Sequence, residues 1–149
     1  MVDSRAKGAA GEKQVKELLK KHTDLLFERV PLSGALPFMK GDLFVPDTSM
    51  VYCIEVKNYK ESHFDDKILT NKSNEFIGWW AQSTSQADLM GKKPLLFFKY
   101  NRSKIFVATE EKPENVLKYF YVSQLKCYVM IAEEWLTQEN PRFVNGNTI

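Results

Sequence analysis

Two apolar segments separated by four turn-forming residues constrain the fold of this chain more than any other feature. Gly41-Asp42-Leu43-Phe44-Val45 and Met50 to Lys57 read as paired strands, and Pro46-Asp47-Thr48-Ser49 between them supplies turn chemistry. Side chains alternate across a strand, so Glu55 and Lys57 point to one face while Ile54 and Val56 point to the other. If residues 42–45 pair with residues 50–57, Asp42 lies near Glu55 at one end of the hairpin. Any fold the chain adopts then has to accommodate two carboxylates and an ammonium group on one small patch of sheet.

The segments around this hairpin alternate between helix and strand. Ser4 to His22 reads as a helix: Val15, Leu18, Leu19 and His22 recur at helical spacing, with lysines between them. Gly8 and Gly11 weaken its first turns and, with Ala9 and Ala10, leave room for something to approach closely. Leu25 to Val30 reads as a strand stopped by Pro31, and Leu32 to Lys40 as a loop. Asn58 to Asn74 is polar without a clear period and reads as a second loop. A helix from about Glu75 to Met90 is stopped by Gly91. Pro94 to Tyr100 and Ile105 to Thr109 read as a strand hairpin around Asn101-Arg102-Ser103-Lys104. Pro113 to Phe120 reads as a short helix with Pro113 near its first position. Cys127 to Ile131 reads as a last strand, followed by a short helix from Ala132 to Gln138. This order predicts an α/β fold with a central mixed β-sheet flanked by helices.

Composition limits the function classes. At 149 residues the chain falls within the roughly 100–200 residues of one domain, so residues 1–139 are expected to form a single domain and residues 140–149 a loose tail. A hydrophobic share of 44% is too high for a disordered chain. No apolar run approaches the roughly 20 residues that a membrane helix needs, and the opening MVDSRAKGAAGEK has no apolar core of a secretion signal. Only Cys53 and Cys127 are present, each inside an apolar stretch. A disulfide framework or structural zinc site is therefore not expected, and a reducing, cytoplasmic setting is the default. The net charge of +2 is too small to identify a partner by itself.

Chemistry is carried by the patch on the first hairpin. Two oxygen-donor carboxylates, Asp42 and Glu55, suit a hard cation such as Mg²⁺, which keeps several waters and binds substrate phosphate. Lys57 alongside can orient or deprotonate an attacking water, or offset charge building on phosphorus. Glu12 adds a third acid. At about 100° per residue it lies roughly 60° from Val15 around the first helix, on the shoulder of the buried stripe, and can face the sheet. An inward carboxylate is costly unless it meets a cation or a donor. Each residue alone also has a plain reading: Glu55 and Lys57 as a solvated ion pair, Asp42 as a turn residue. Their combination and order point to a site.

In that combination Glu12, Asp42, Glu55 and Lys57 resemble the PD-(D/E)XK nuclease core. More narrowly, the first sixty residues are similar to the archaeal-type Holliday junction resolvases, which also occur in phages. The family's opening Lys-Gly-x-x-x-Glu stands here as Lys7-Gly8-Ala9-Ala10-Gly11-Glu12, followed by Lys13. Arg29 matches the arginine ending its first strand, Ser33 the serine just beyond, and Gly41-Asp42-Leu43 with Ile54-Glu55-Val56-Lys57 its acid pair and lysine. The resemblance implies a restriction-endonuclease-like fold and a Mg²⁺-dependent endonuclease, with Mn²⁺ as a substitute, acting as a homodimer on four-way DNA junctions. It implies Asp42 and Glu55 as metal ligands, with Glu12 as a further ligand, direct or through water. Lys57 would serve the attacking water, and Ser33 and Arg29 the scissile strand.

Positive charge clusters in two places. Arg5, Lys7, Lys13, Lys16, Lys20 and Lys21 crowd the first helix, and Lys92, Lys93, Lys99, Arg102 and Lys104 fall in a stretch, Leu89 to Thr109, that contains no acid. The asymmetry suits one face meeting a phosphate backbone; the alternative is an ordinary solvated helix face and a charged hairpin tip. Arg5, Lys7 and Lys13 are the candidate DNA contacts, because they flank Glu12, together with Arg29. Trp79 and Trp80, with Phe76 nearby, read as core or dimer-interface aromatics, stacking on an unpaired base being the alternative. Gln82 or Gln86 can face the site. His22 reads as capping or packing the end of the first helix, and neither it nor His63 has a partner at ligand spacing.

The expected function is a structure-selective, metal-dependent DNA endonuclease that resolves four-way junctions by paired phosphodiester hydrolysis. The rivals are a nuclease of the same fold acting on another DNA, and a junction-binding module without catalysis.

Overall fold

A computed structural model describes residues 4–31, 40–46, 49–71 and 73–145, with no description of the Ser4 and Arg5 side chains. Within it a seven-stranded sheet is ordered β1-β2-β3-β4-β5-β7-β6. The strands are β1 (Glu28–Arg29), β2 (Leu43–Phe44), β3 (Tyr52–Tyr59), β4 (Lys93–Tyr100), β5 (Phe106–Thr109), β6 (Phe120–Val122) and β7 (Cys127–Ile131). Only β3 and β4 are parallel; the remaining pairs are antiparallel. The helices are α1 (Ser4–His22), α2 (Lys67–Thr70), α3 (Glu75–Met90) and α4 (Ala132–Glu134), the last running into a π-helical turn, Trp135–Glu139. The mixed sheet flanked by helices is the class the sequence predicts.

Each face of the sheet has its own core. Val15 and Leu19 of α1 bury against Ile54, Val56, Leu95, Phe97, Val107 and Met130, with Trp135, Leu136 and Phe143 closing the same side. Phe76, Trp79 and Trp80 of α3 bury against Leu96, Phe98, Ala108, Cys127 and Val129 on the other. β4 feeds both layers by strict alternation, as a central strand covered on two faces must. Trp79 and Trp80 are thus core residues, and the Trp80 indole donates to the Leu125 carbonyl at 3.1 Å.

The α3 helix begins where Asn74 accepts hydrogen bonds from the Phe76 and Ile77 amides and ends at Gly91, whose φ of 64° is left-handed. Four expectations are corrected. The strand expected over Leu25–Val30 forms ladder pairs only at Glu28 and Arg29, since β2 offers only Leu43 and Phe44 as partners. The loop expected over Asn58–Asn74 contains α2, because Ile68 is drawn into the α3-side core. The helix expected over Pro113–Phe120 is absent: the Glu139 carboxylate accepts from the amides of Glu114, Asn115 and Val116, which holds that segment as a loop. The tail is not loose up to residue 145, since Phe143 is 2% exposed and Val144 bridges Met50.

Candidate active site

The β2–β3 register places Leu43 opposite Ile54, which sets Asp42 across from Glu55. Gly41 makes this approach possible. Its φ is +88°, and a Cβ there would meet the Ile54 carbonyl at 2.7 Å. Asp42 is then held at three points: its amide donates to the Ile54 carbonyl at 2.6 Å, its carbonyl accepts from the Val30 amide at 2.8 Å, and its Oδ2 accepts from the Val56 amide at 2.7 Å.

Glu55 is 4% exposed, and its carboxyl is hydrogen-bonded to that of Asp42. Burial first, then the negative charge of Asp42 and this hydrogen bond, push Glu55 up to about 8, with Lys57 pulling the other way. The negative charge beside it and its removal from water both disfavour the ionised form of Glu55. Lys57 lies opposite Phe98 on the same side of β3 as Glu55. Glu12 approaches from α1. Its Oε1 accepts from Arg29 Nε at 2.6 Å, and burial raises its carboxyl above the usual range, the Arg29 hydrogen bond opposing and Asp42 adding to the rise.

The structure therefore brings Glu12, Arg29, Asp42, Glu55 and Lys57 into one electrostatic neighbourhood. Glu12 is committed to Arg29, and among the described residues no three or more His, Cys, Asp or Glu side chains are disposed to hold a metal ion. Mg²⁺ is commonly held by one or two carboxylates with waters and substrate phosphate completing the shell. The Asp42–Glu55 pair, a buried acid facing a second acid, has the hard-oxygen chemistry for that arrangement. Lys13 is exposed on α1, and Lys7 donates to Asn101 Oδ1. Ser33 and the Arg5 side chain lie outside the described residues. His22 pairs with Glu133 at 3.0 Å, and His63 packs edge-on to Trp79. Gln82 is exposed, whereas the Gln86 side-chain oxygen is buried.

The sequence reading missed Asn58. It follows Lys57 on β3 and donates through Nδ2 to the Lys7 carbonyl at 2.9 Å. Gly11 is what lets it in: a Cβ on Gly11 would lie 2.6 Å from Asn58 Cβ, whereas Gly8 has nothing within 4 Å. The signal was the glycine in the first turns of α1, which predicts a close neighbour without naming it.

Residues 3–140 match the family model described as "Phage putative PDDEXK endonuclease". The chain belongs to this family. Protein D14 of Escherichia phage T5 is 37% identical over 148 residues, covering 91% of this chain and 92% of that protein. The solved structure of Hjc, a Holliday junction resolvase from Archaeoglobus fulgidus, matches with a TM-score of 0.45 and 19% identity, covering 84% of this chain and 88% of that one. No helix among the described residues of this PDDEXK endonuclease is long and apolar enough to cross a membrane.

Proposed function

We propose that this PDDEXK endonuclease is a Mg²⁺-dependent resolvase of four-way DNA junctions, working as a homodimer in the cytoplasm, that of the host if the chain is phage-encoded. The carrying observation is the Asp42–Glu55 pair, two carboxyls set across from each other on adjoining strands, one of them buried, with Lys57 on the same face of β3. A divalent ion held by Asp42 and Glu55 would polarise the phosphoryl oxygen and acidify a bound water. Lys57 orients the attacking water or takes its proton, and offsets charge developing on phosphorus. Arg29 fixes Glu12 at the edge of the site, where Glu12 serves as a further ligand through water. Ser33 and Arg29 contact the scissile strand; Arg5, Lys7 and Lys13 meet the flanking backbone. In-line attack by water leaves a 5′-phosphate and a 3′-hydroxyl.

Junction preference is supported by the motif order Lys7-Gly8 to Glu12, Arg29, Asp42 and Glu55-Val56-Lys57, which is that of the archaeal-type resolvases. A four-way junction has near two-fold symmetry, and a C2 dimer carrying one site per subunit matches it. Incubation with Mg²⁺ and four-way, flapped, duplex and single-stranded DNA tests the reading. Symmetric paired nicks confined to the junction are expected. Preferred cutting of linear duplex overturns the substrate, and junction binding without cutting overturns catalysis.

A further inference from the structure

Beyond the carboxylates, the C-terminal end of β3 carries a second cluster. Asn58 and Lys99 are register partners on β3 and β4, so their side chains leave the sheet on the same face. The first turns of α1 close over that face, tied by the Asn58 hydrogen bond to the Lys7 carbonyl and the contact of Gly11 with Asn58. The Lys7 ammonium reaches Asn101 Oδ1 just past β4, and the Lys99 ammonium reaches the Tyr100 carbonyl at 3.3 Å. Their partners are neutral oxygens. Neither lysine forms an ion pair with a carboxylate among the described residues, and no acid occurs between Leu89 and Thr109. Partial burial, and then the nearby charge of Lys7, lower the Lys99 ammonium from its usual range. Two neighbouring cations with no counter-charge favour an anion between them; Asn58 and Asn101 hold Lys7 in place, and the Tyr100 carbonyl holds the Lys99 ammonium.

We propose that Lys99 and Lys7, the latter braced by Asn58 and Asn101, form a phosphate subsite for the DNA backbone, separate from the scissile position. This rests on the nuclease reading and deepens it. Asn58 lies three residues beyond Glu55, about 10 Å along the strand and on the opposite face of the sheet, so the subsite takes a phosphate other than the scissile one. Its lysines bind and orient; they do not touch the reacting atoms.

The test is binding of labelled four-way and duplex DNA without divalent metal, titrated over salt, for wild type, Lys99→Gln, the Lys7→Gln/Lys99→Gln double variant and Lys126→Gln as control. Each phosphate contact contributes close to one to the slope of log K against log salt. Lys99→Gln is expected to lower the slope by about one and the double variant by about two. Lys126→Gln leaves it unchanged, and thermal unfolding shows every variant folded. In cleavage, Lys99→Gln raises KM with kcat kept. An unchanged salt slope in Lys99→Gln, or an equal fall in Lys126→Gln, overturns the subsite while the wild type still cuts DNA. A wild type that neither binds nor cuts any of these DNAs overturns the nuclease reading, and the subsite with it.

Discussion

Asp42 Oδ2 accepts the Val56 amide at 2.7 Å, so a candidate metal ligand also completes the pairing of the strand that carries Glu55 and Lys57. The same side chain serves the fold and the chemistry, and two substitutions separate these roles.

Asp42→Asn keeps an oxygen for the Val56 amide but removes the charge. Cleavage is expected to fall by at least about 10²–10³-fold, with junction binding and melting temperature nearly unchanged. Asp42→Ala also leaves the amide without its acceptor, at a cost of about 1–3 kcal/mol. Denaturant unfolding of both variants distinguishes the roles; equal loss of stability in the two means that charge, not the hydrogen bond, holds the strands.

Glu55 predicts how the metal-free protein responds to pH. Its carboxyl rises from an ordinary 4.5 to about 8 on folding, so between those values the folded state binds more protons than the unfolded one. This group's contribution to stability is therefore largest at low pH and declines as pH rises through that window. Glu55→Gln removes the decline, raising the melting temperature at pH 8 more than at pH 5. Parallel melting curves of variant and wild type across that range refute the assignment.

Metal binding carries the opposite pH dependence and offsets that slope. A cation needs the ionised pair and displaces its proton, so Mg²⁺ affinity rises with pH up to about 8 and then levels. At a Mg²⁺ concentration 100 times Kd the protein gains about 2.7 kcal/mol. Thermal shifts with and without Mg²⁺ should separate more at pH 8.5 than at pH 6.5; a pH-independent shift places the ion elsewhere.

Arg29 opposes the upward pull of burial and Asp42 on Glu12. Arg29→Met removes that opposition, so Glu12 titrates at higher pH. The acid limb of the single-turnover pH–rate profile is expected to move upward in this variant. An unmoved limb with a uniformly lower rate would confine Arg29 to DNA contact.

Gly8 and Gly11 should respond in opposite directions to alanine. Gly8→Ala meets nothing within 4 Å and gains about 0.5–1 kcal/mol of helix preference. Gly11→Ala drives a methyl into Asn58 Cβ and costs about 1–3 kcal/mol. Chemical denaturation of the pair checks both signs.

What could be read from the sequence was local or periodic. The alternation of Ile54, Glu55, Val56 and Lys57 gave the face of the acid pair, and Val15 with Leu19 gave the buried stripe of α1. Gly91 marked the end of α3. Long-range capture was not legible: Glu139 taking the amides of residues 114–116 from more than twenty residues away leaves no trace in the local pattern, which there favours a helix. Phe143 was missed for the same reason, as a single aromatic in a polar stretch whose partners, Phe27, Tyr52 and Trp135, are scattered along the chain. Asn58 has a polar character that reads as loop, and only the packed glycine opposite explains its place.

The seating of Phe143 against Phe27 and Tyr52 has a consequence for synthesis. The layer beneath the acid-bearing hairpin stays open until the ribosome has passed that codon and the aromatic has emerged to fill it. A nascent chain thus carries Glu12, Asp42 and Glu55 before the aromatic that packs beneath their hairpin has been made.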